Sequence, residues 1–340
     1  MALQLTSATP IDEVGHPADS HAPYWGGSGM GFPHMRVCER MEEALQSDSG
    51  EVIAKIEELV KDESVDVRER LTIARALVDW YALNDQATDC LRVARIATEI
   101  GMDNLGPLDE DVLIARNSEL YWQATLGNYH NIDKNYRILI RDVEHVIGNH
   151  SELAWAVRTN SAMPAKARGD FTKAVSIYRR VVRDMGTSLA EDDSLAMSAQ
   201  DNLAEALVLA DKYDSALKIY RSLHGISKKK WGLQDGRTLR LRGEIARTKF
   251  LLGRRKQAMK EWKQTFADCV EILGAHNPLT FEIHCVLLAA SIDMDDSQAV
   301  IELSEMLVND PPEELEGEEI ESFRQIIESY RQIGAMEGEE

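Results

Sequence analysis

Nine histidines and a scatter of loop carboxylates are the groups in this sequence that could move protons. An imidazole titrates near neutral pH and acts as general acid or base when a carboxylate orients it. His150, Asp192, Asp193, Asp235 and His276 fall in segments that read as loops, where catalytic groups usually sit. No Ser/His/Asp order, no H-E-x-x-H and no phosphate-binding loop accompanies them. His130, His145, His150, His224, His276 and His284 share no periodic position. The glycine run Gly26–Gly31 lacks the following Lys and Ser/Thr that hold a phosphate. His16, His21 and His34 match no closed metal site, and Cys38, Cys90, Cys269 and Cys285 form no C-x-x-C pair. The reading is surface or packed histidines, reduced buried thiols, no enzyme activity, no metal and no cofactor.

What the loops connect is more informative. The stretch "LGAHNPLT" (273–280) follows a helix-like run and reads as a helix–helix junction, with glycine past one helix end and proline at the next start. Strides of 42 back from Gly274 reach Gly232, Ala190, Gly148 and Gly106, each preceded by a large apolar residue. Gly253 leads back on the same stride to Asp211, Gly169, Gly127 and Asp85. Five residues past the last of these turns stand Ala258, Ala216 and Ala174, and nine past stand Trp262, Tyr220, Tyr178 and Tyr136. Columns kept in register mean an array of repeats. In the unit spanning 190–231, Leu203, Ala204, Leu207 and Val208 form one helical stripe, and Ala216, Ile219, Tyr220 and Leu223 a second. A lone helix pair cannot bury both stripes; stacked pairs can.

"GDFTKAVSIY" (169–178) and "DKYDSALKIY" (211–220) carry Gly/Asp-x-[Tyr/Phe]-x-x-Ala-x-x-x-Tyr, which resembles the turn and second helix of tetratricopeptide repeats. The 42-residue length and the L-G-x-x-[HN]-P-x-T element make the resemblance one to kinesin light chain-type repeats, over residues 64–295. It implies an all-α, right-handed α-solenoid of helix pairs. A flexible arm (1–34) and a capping helix pair (35–63) are expected before the repeats, and capping helices with an acidic tail (296–340) after them. Ile132 and Cys90 stand where the turn alanine is expected, so their units should pack less regularly.

The resemblance also implies a groove lined by first helices that binds a peptide or helix of a partner. Asn160 and Asn202 occupy the place where an asparagine clamps ligand backbone, and Arg240 the place where a cation meets a carboxylate; Arg247 lies on the same stripe. An amide offers donor and acceptor together, and a guanidinium fork suits a carboxylate. Glu244, where a second cation would be wanted, departs from a strict carboxylate clamp. The asparagines serve either peptide clamping or plain helix–helix bonding.

Formal charge is −20 and pI about 4.9, which argues against nucleic acid or anionic membrane as partner. No apolar run approaches a membrane span and the start lacks a signal-peptide pattern, so a cytoplasmic protein is expected. Residues 217–263 reverse the charge, with 15 Lys/Arg against Asp235, Glu244 and Glu261. That block is either a solvated face or a surface for an acidic partner, including this chain's own tail from Glu313 onward. The function expected is a protein-interaction scaffold or adaptor. A peptide-sensing signalling regulator and an accessory subunit of a larger complex are the alternatives.

Overall fold

The computed structural model describes residues 50–312, 315 and 317–337, and every regular element among them is an α-helix. The arm at 1–34, the first half of the 35–63 pair, the glycine run, His16, His21, His34 and Cys38 lie outside the described residues. The chain divides into two compact units, one ending at Ala210 and the other beginning at Asp211.

The first unit holds α1 (Gly50–Lys61), α2 (Val67–Leu83), α3 (Ala87–Asn104), α4 (Glu110–Thr125), α5 (Ile132–Val146), α6 (Glu152–Asn160), α7 (Met163–Ala167), α8 (Phe171–Met185) and α9 (Ser194–Leu209). Consecutive helices pack from α1 through α6, and α2 and α6 each also meet α4, so first helices of successive pairs lie side by side. The second unit holds α10 (Tyr213–Trp231), α11 (Gly236–Leu251), α12 (Arg255–Leu273), α13 (Pro278–Asp293), α14 (Ser297–Asn309) and α15 (Gly317–Glu337), again packed in sequence, with α11 also against α13.

The turn inside each pair explains the sequence columns. Asp85, Gly127, Gly169, Asp211, Gly253 and Asp295, spaced by 42, all have φ between 53° and 77°. Glycine adopts that conformation freely, and Asp tolerates it better than most residues. Five residues on, Cys90, Ile132, Ala174, Ala216, Ala258 and Val300 are all 0% exposed. This is where the second helix presses on the first. The 42-residue spacing thus runs on through α14, past the last glycine of the column.

Each first helix starts on a side-chain cap. Asp66, Asp109, Ser151, Asp193, Asp235 and Asn277 accept hydrogen bonds from backbone N–H groups of the next turn, which satisfies donors a helix start leaves open. Asp193 and Asp235, loop carboxylates in sequence, are therefore helix caps.

Three local departures have physical causes. Pro164 breaks the first helix of its unit into α6 and α7, because proline has no N–H for the carbonyl four residues back, that of Asn160. Ala190 stands where other units have glycine, and α8 ends at Met185, several residues before the junction. The turn before Ile132 is longer than the others, with Asn131 also left-handed (φ 55°); the unit with Cys90 keeps the regular turn.

α15 lies along α14 and covers the end of the second unit's core through Phe323, Ile326 and Tyr330. Arg331 on α15 pairs with Glu305 on α14.

Candidate functional site

The first helices carry the four residues singled out in the sequence. Asn160 ends α6 and is 5% exposed. Its Nδ2 donates to Oδ1 of Asn117 on α4 at 3.3 Å, so the amide bridges neighbouring first helices. The Nδ2 of Asn117 itself is buried without a hydrogen-bond partner among the described residues. Asn202, at the equivalent place on α9, is half-buried, and its side chain makes no hydrogen bond among the described residues. One turn further along α9, Glu205 pairs with Lys166 of α7. No hydrogen bond joins the two asparagines among the described residues.

In the second unit, Arg240, Glu244 and Arg247 follow one stripe of α11 at i, i+4 and i+7. Glu244 is 9% exposed, and its Oε2 lies 3.8 Å from Nη1 of Arg247. The carboxylate that departs from the clamp pattern is thus the local counter-charge of Arg247. Lys249 on α11 pairs with Glu261 on α12, and Arg242 with Asp268, so part of the basic segment is matched inside the unit.

A further column ties first helices to neighbouring second helices, of the same pair for Arg116 and of the preceding pair for Arg158. Arg116 and Arg158 each donate from Nη1 to a loop carbonyl nine residues earlier, those of Pro107 and Asn149. They also reach across to Asp142 and Glu144. Arg242 repeats the cross-helix pairing, and His284, at the same place in the next unit, meets the Leu303 carbonyl at 2.9 Å. The sequence signal was an Arg/Arg/Gln/Arg/His column at the same stride, masked by its variation in type.

The groups that could do proton chemistry are held apart. His150 Nδ1 lies 3.1 Å from Ser188 Oγ, but no carboxylate orients its other nitrogen among the described residues, as a Ser–His nucleophile requires. His276 pairs with Asp310 at 3.0 Å on the surface. Burial and the nearby Arg242 and Lys228 push the His224 imidazole down, and burial does the same to His284. Burial pushes the Cys90 thiol up to about 12 and those of Cys269 and Cys285 up to about 11, so all three stay protonated and poorly nucleophilic. Among the described residues no cluster of His, Cys, Asp or Glu could hold a metal ion, and no helix is long and apolar enough to cross a membrane.

No protein-family model and no curated protein matches the sequence. Solved structures do. A point variant of a Podosopora anserina putative kinesin light chain with nearly identical TPR-like repeats aligns at TM-score 0.52 and 17% identity, over 61% of this chain and 98% of that one. The form of that protein without the substitution aligns at 0.51 and 17%, over 59% and 96%. BtubC (BKLC) from P. vanneervenii aligns at 0.50 and 13%, over 75% and 91%. With the 42-residue turn column and the helix pairing, these likenesses place the fold of this chain among the tetratricopeptide-like repeats of kinesin light chain type.

Proposed function

We propose that the chain is a non-catalytic, cytoplasmic protein-interaction scaffold that binds a peptide or helix of a partner along the faces of its first helices. The observation that carries the reading is Asn202: a half-buried amide on a first helix with no hydrogen bond among the described residues. The amide is open to a ligand, and a peptide group offers both a donor and an acceptor to match it. In the second unit Arg240 and Arg247 on α11 offer cationic contacts of their own; in the first, Asn160 is held by its bond to Asn117. Lys218, Arg221, Lys228 and Lys229 on α10, with Lys256 and Lys260 on α12, are exposed and favour an acidic partner surface.

The test is affinity capture from cell extract with wild type and Asn202→Ala, followed by mass spectrometry and then calorimetry on the purified partner. The expected result is one partner whose affinity falls about tenfold or more in the variant, the scale of a lost peptide hydrogen bond in a buried site. Equal affinity for both proteins removes the groove assignment.

A further inference from the structure

A cavity of about 330 Å³ opens between α2 and α4 of the first unit, with α3 as its floor. Ala74, Ala94, Ala97 and Ala115 line it with methyl groups, and all four are buried. Thr72, Arg75, Asp79, Asp111 and Ser118 are the polar and charged residues that line the same space, and two of them lack a hydrogen-bond partner among the described residues. Ser118 is 4% exposed, and its Oγ has no hydrogen-bond partner among the described residues. Asp79, on α2, is partly buried, and its carboxylate takes part in no hydrogen bond or salt bridge among them.

Both of these groups are short of partners where water is scarce. A carboxylate removed from water is disfavoured unless a cation and donors replace its hydration. Burial pushes the Asp79 carboxyl up to about 6, against the downward pull of Arg75 one turn earlier. Asp111 at the cavity edge adds a second negative group, already paired with Arg68. An alanine floor beside a carboxylate that accepts no hydrogen bond, with only the charge of Arg75 nearby, matches an amphipathic side chain, whose aliphatic stem rests on methyl groups while its charged end meets the acid. A guanidinium fits better than an ammonium, because its planar fork can serve the carboxylate and the Ser118 hydroxyl together.

We propose that the α2–α4 cavity is a recognition pocket for an arginine side chain of the bound partner, with Asp79 as its counter-ion and Ser118 as its second acceptor. The pocket rests on the peptide-binding reading and adds the residue type selected at this end of the chain.

The test uses the full chain and a probe that needs no partner. Nα-acetyl-arginine methylamide is titrated into isotopically labelled protein, with the citrulline analogue as neutral isostere and the glutamate analogue as acidic control. Saturable shifts are expected in backbone amides of 72–79 and 111–118, with a dissociation constant of about 1–10 mM, the range open to a single side chain. Citrulline should bind about tenfold more weakly or worse. Asp79→Asn should abolish the shifts, Ser118→Ala should weaken binding, and Asn202→Ala should leave it unchanged. The thermal melt of each variant checks that it is folded. No saturable shift, equal binding of citrulline, or undiminished binding by folded Asp79→Asn overturns the pocket. Loss of the pocket with Asn202→Ala still defective in partner binding leaves the groove reading standing. A working pocket with unchanged partner binding by Asn202→Ala overturns the groove reading alone.

Discussion

Arg242 Nη1 lies 2.5 Å from Asp268 Oδ2, joining α11 to α12. Three repeats earlier Arg116 Nη2 and Asp142 Oδ2 stand 3.0 Å apart in the same two positions. Burial pushes the Asp268 carboxyl up, but hydrogen bonds from Arg242 and Gln264 and the Arg242 charge outweigh it, leaving it below its ordinary 3.8. A carboxyl lowered on folding adds stability above its unfolded value, and loses it as pH falls through the folded value. Arg242→Met should therefore cost about 1–2 kcal/mol at pH 7. The difference from wild type should hold down to about pH 4 and fade below it. Urea unfolding across pH 7 to 3 measures this; a difference that persists unchanged at pH 3 would show lost packing rather than lost charge.

The left-handed turn column gives a second expectation. Asp85 sits at φ 54° and Gly127 at φ 74°, and a Cβ on Gly127 would meet nothing within 4 Å. Gly127→Ala should destabilise by about 1 kcal/mol through backbone strain alone. Asp85→Gly should be neutral or stabilising by a few tenths to about 1 kcal/mol, since glycine removes the strain but loosens the unfolded chain. Denaturant midpoints that move the other way would mean the turn is not what these residues are chosen for.

Ala258 is 0% exposed in the core shared by α11, α12 and α13. The equivalent place holds Val300 in the next unit, also 0% exposed. Ala258→Leu should destabilise by about 1–3 kcal/mol through overpacking. A neutral result in thermal unfolding would mean the helices can part at little cost.

Asp79 supplies a prediction of opposite sign. Its carboxyl rises from 3.8 to about 6, mainly by burial. A raised carboxyl leaves stability intact below the unfolded value and drains it as pH climbs through the folded one. Asp79→Asn should thus be more stable than wild type at pH 7.5, by roughly 1–3 kcal/mol at about 1.4 kcal/mol per pKa unit. The gain should vanish near pH 4, where the folded wild-type carboxyl is already neutral. A variant less stable than wild type at pH 7.5 would mean the carboxylate is well satisfied.

The repeat was legible wherever chemistry forced one residue type. Glycine at left-handed turns and alanine at the closest helix approach repeat by identity, so the stride could be counted. The caps Asp109, Ser151, Asp193, Asp235 and Asn277 keep the same stride, but three side chains can do that job and the column dissolves by type. Asp295 hid the continuation of the array because Asp, too, tolerates positive φ. Pro164 breaks the first helix of its unit, a departure that the general rule of two helices per repeat does not foresee. The α2–α4 cavity left no local signal, since Asp79 and Ser118 lie 39 residues apart and meet one space only when first helices stack.

Asn160 and Asn202 share a column and part ways in the structure, which makes them a matched pair. Asn160 is buried and bridges to Asn117. Truncating it leaves Asn117, 1% exposed, with its Nδ2 already unpartnered and its carbonyl oxygen losing a donor. An unsatisfied buried polar group costs about 1–3 kcal/mol, so Asn160→Ala should lower stability by that amount. The Asn202 side chain makes no hydrogen bond among the described residues, and alanine is the better helix former by a few tenths of a kcal/mol; Asn202→Ala should melt at or slightly above the wild-type temperature. Double replacement of Asn117 and Asn160 by leucine should recover much of the loss, because two apolar groups leave no orphan behind. Equal destabilisation by Asn160→Ala and Asn202→Ala would show that both amides are structural, and would leave no residue in this column to spare for a ligand.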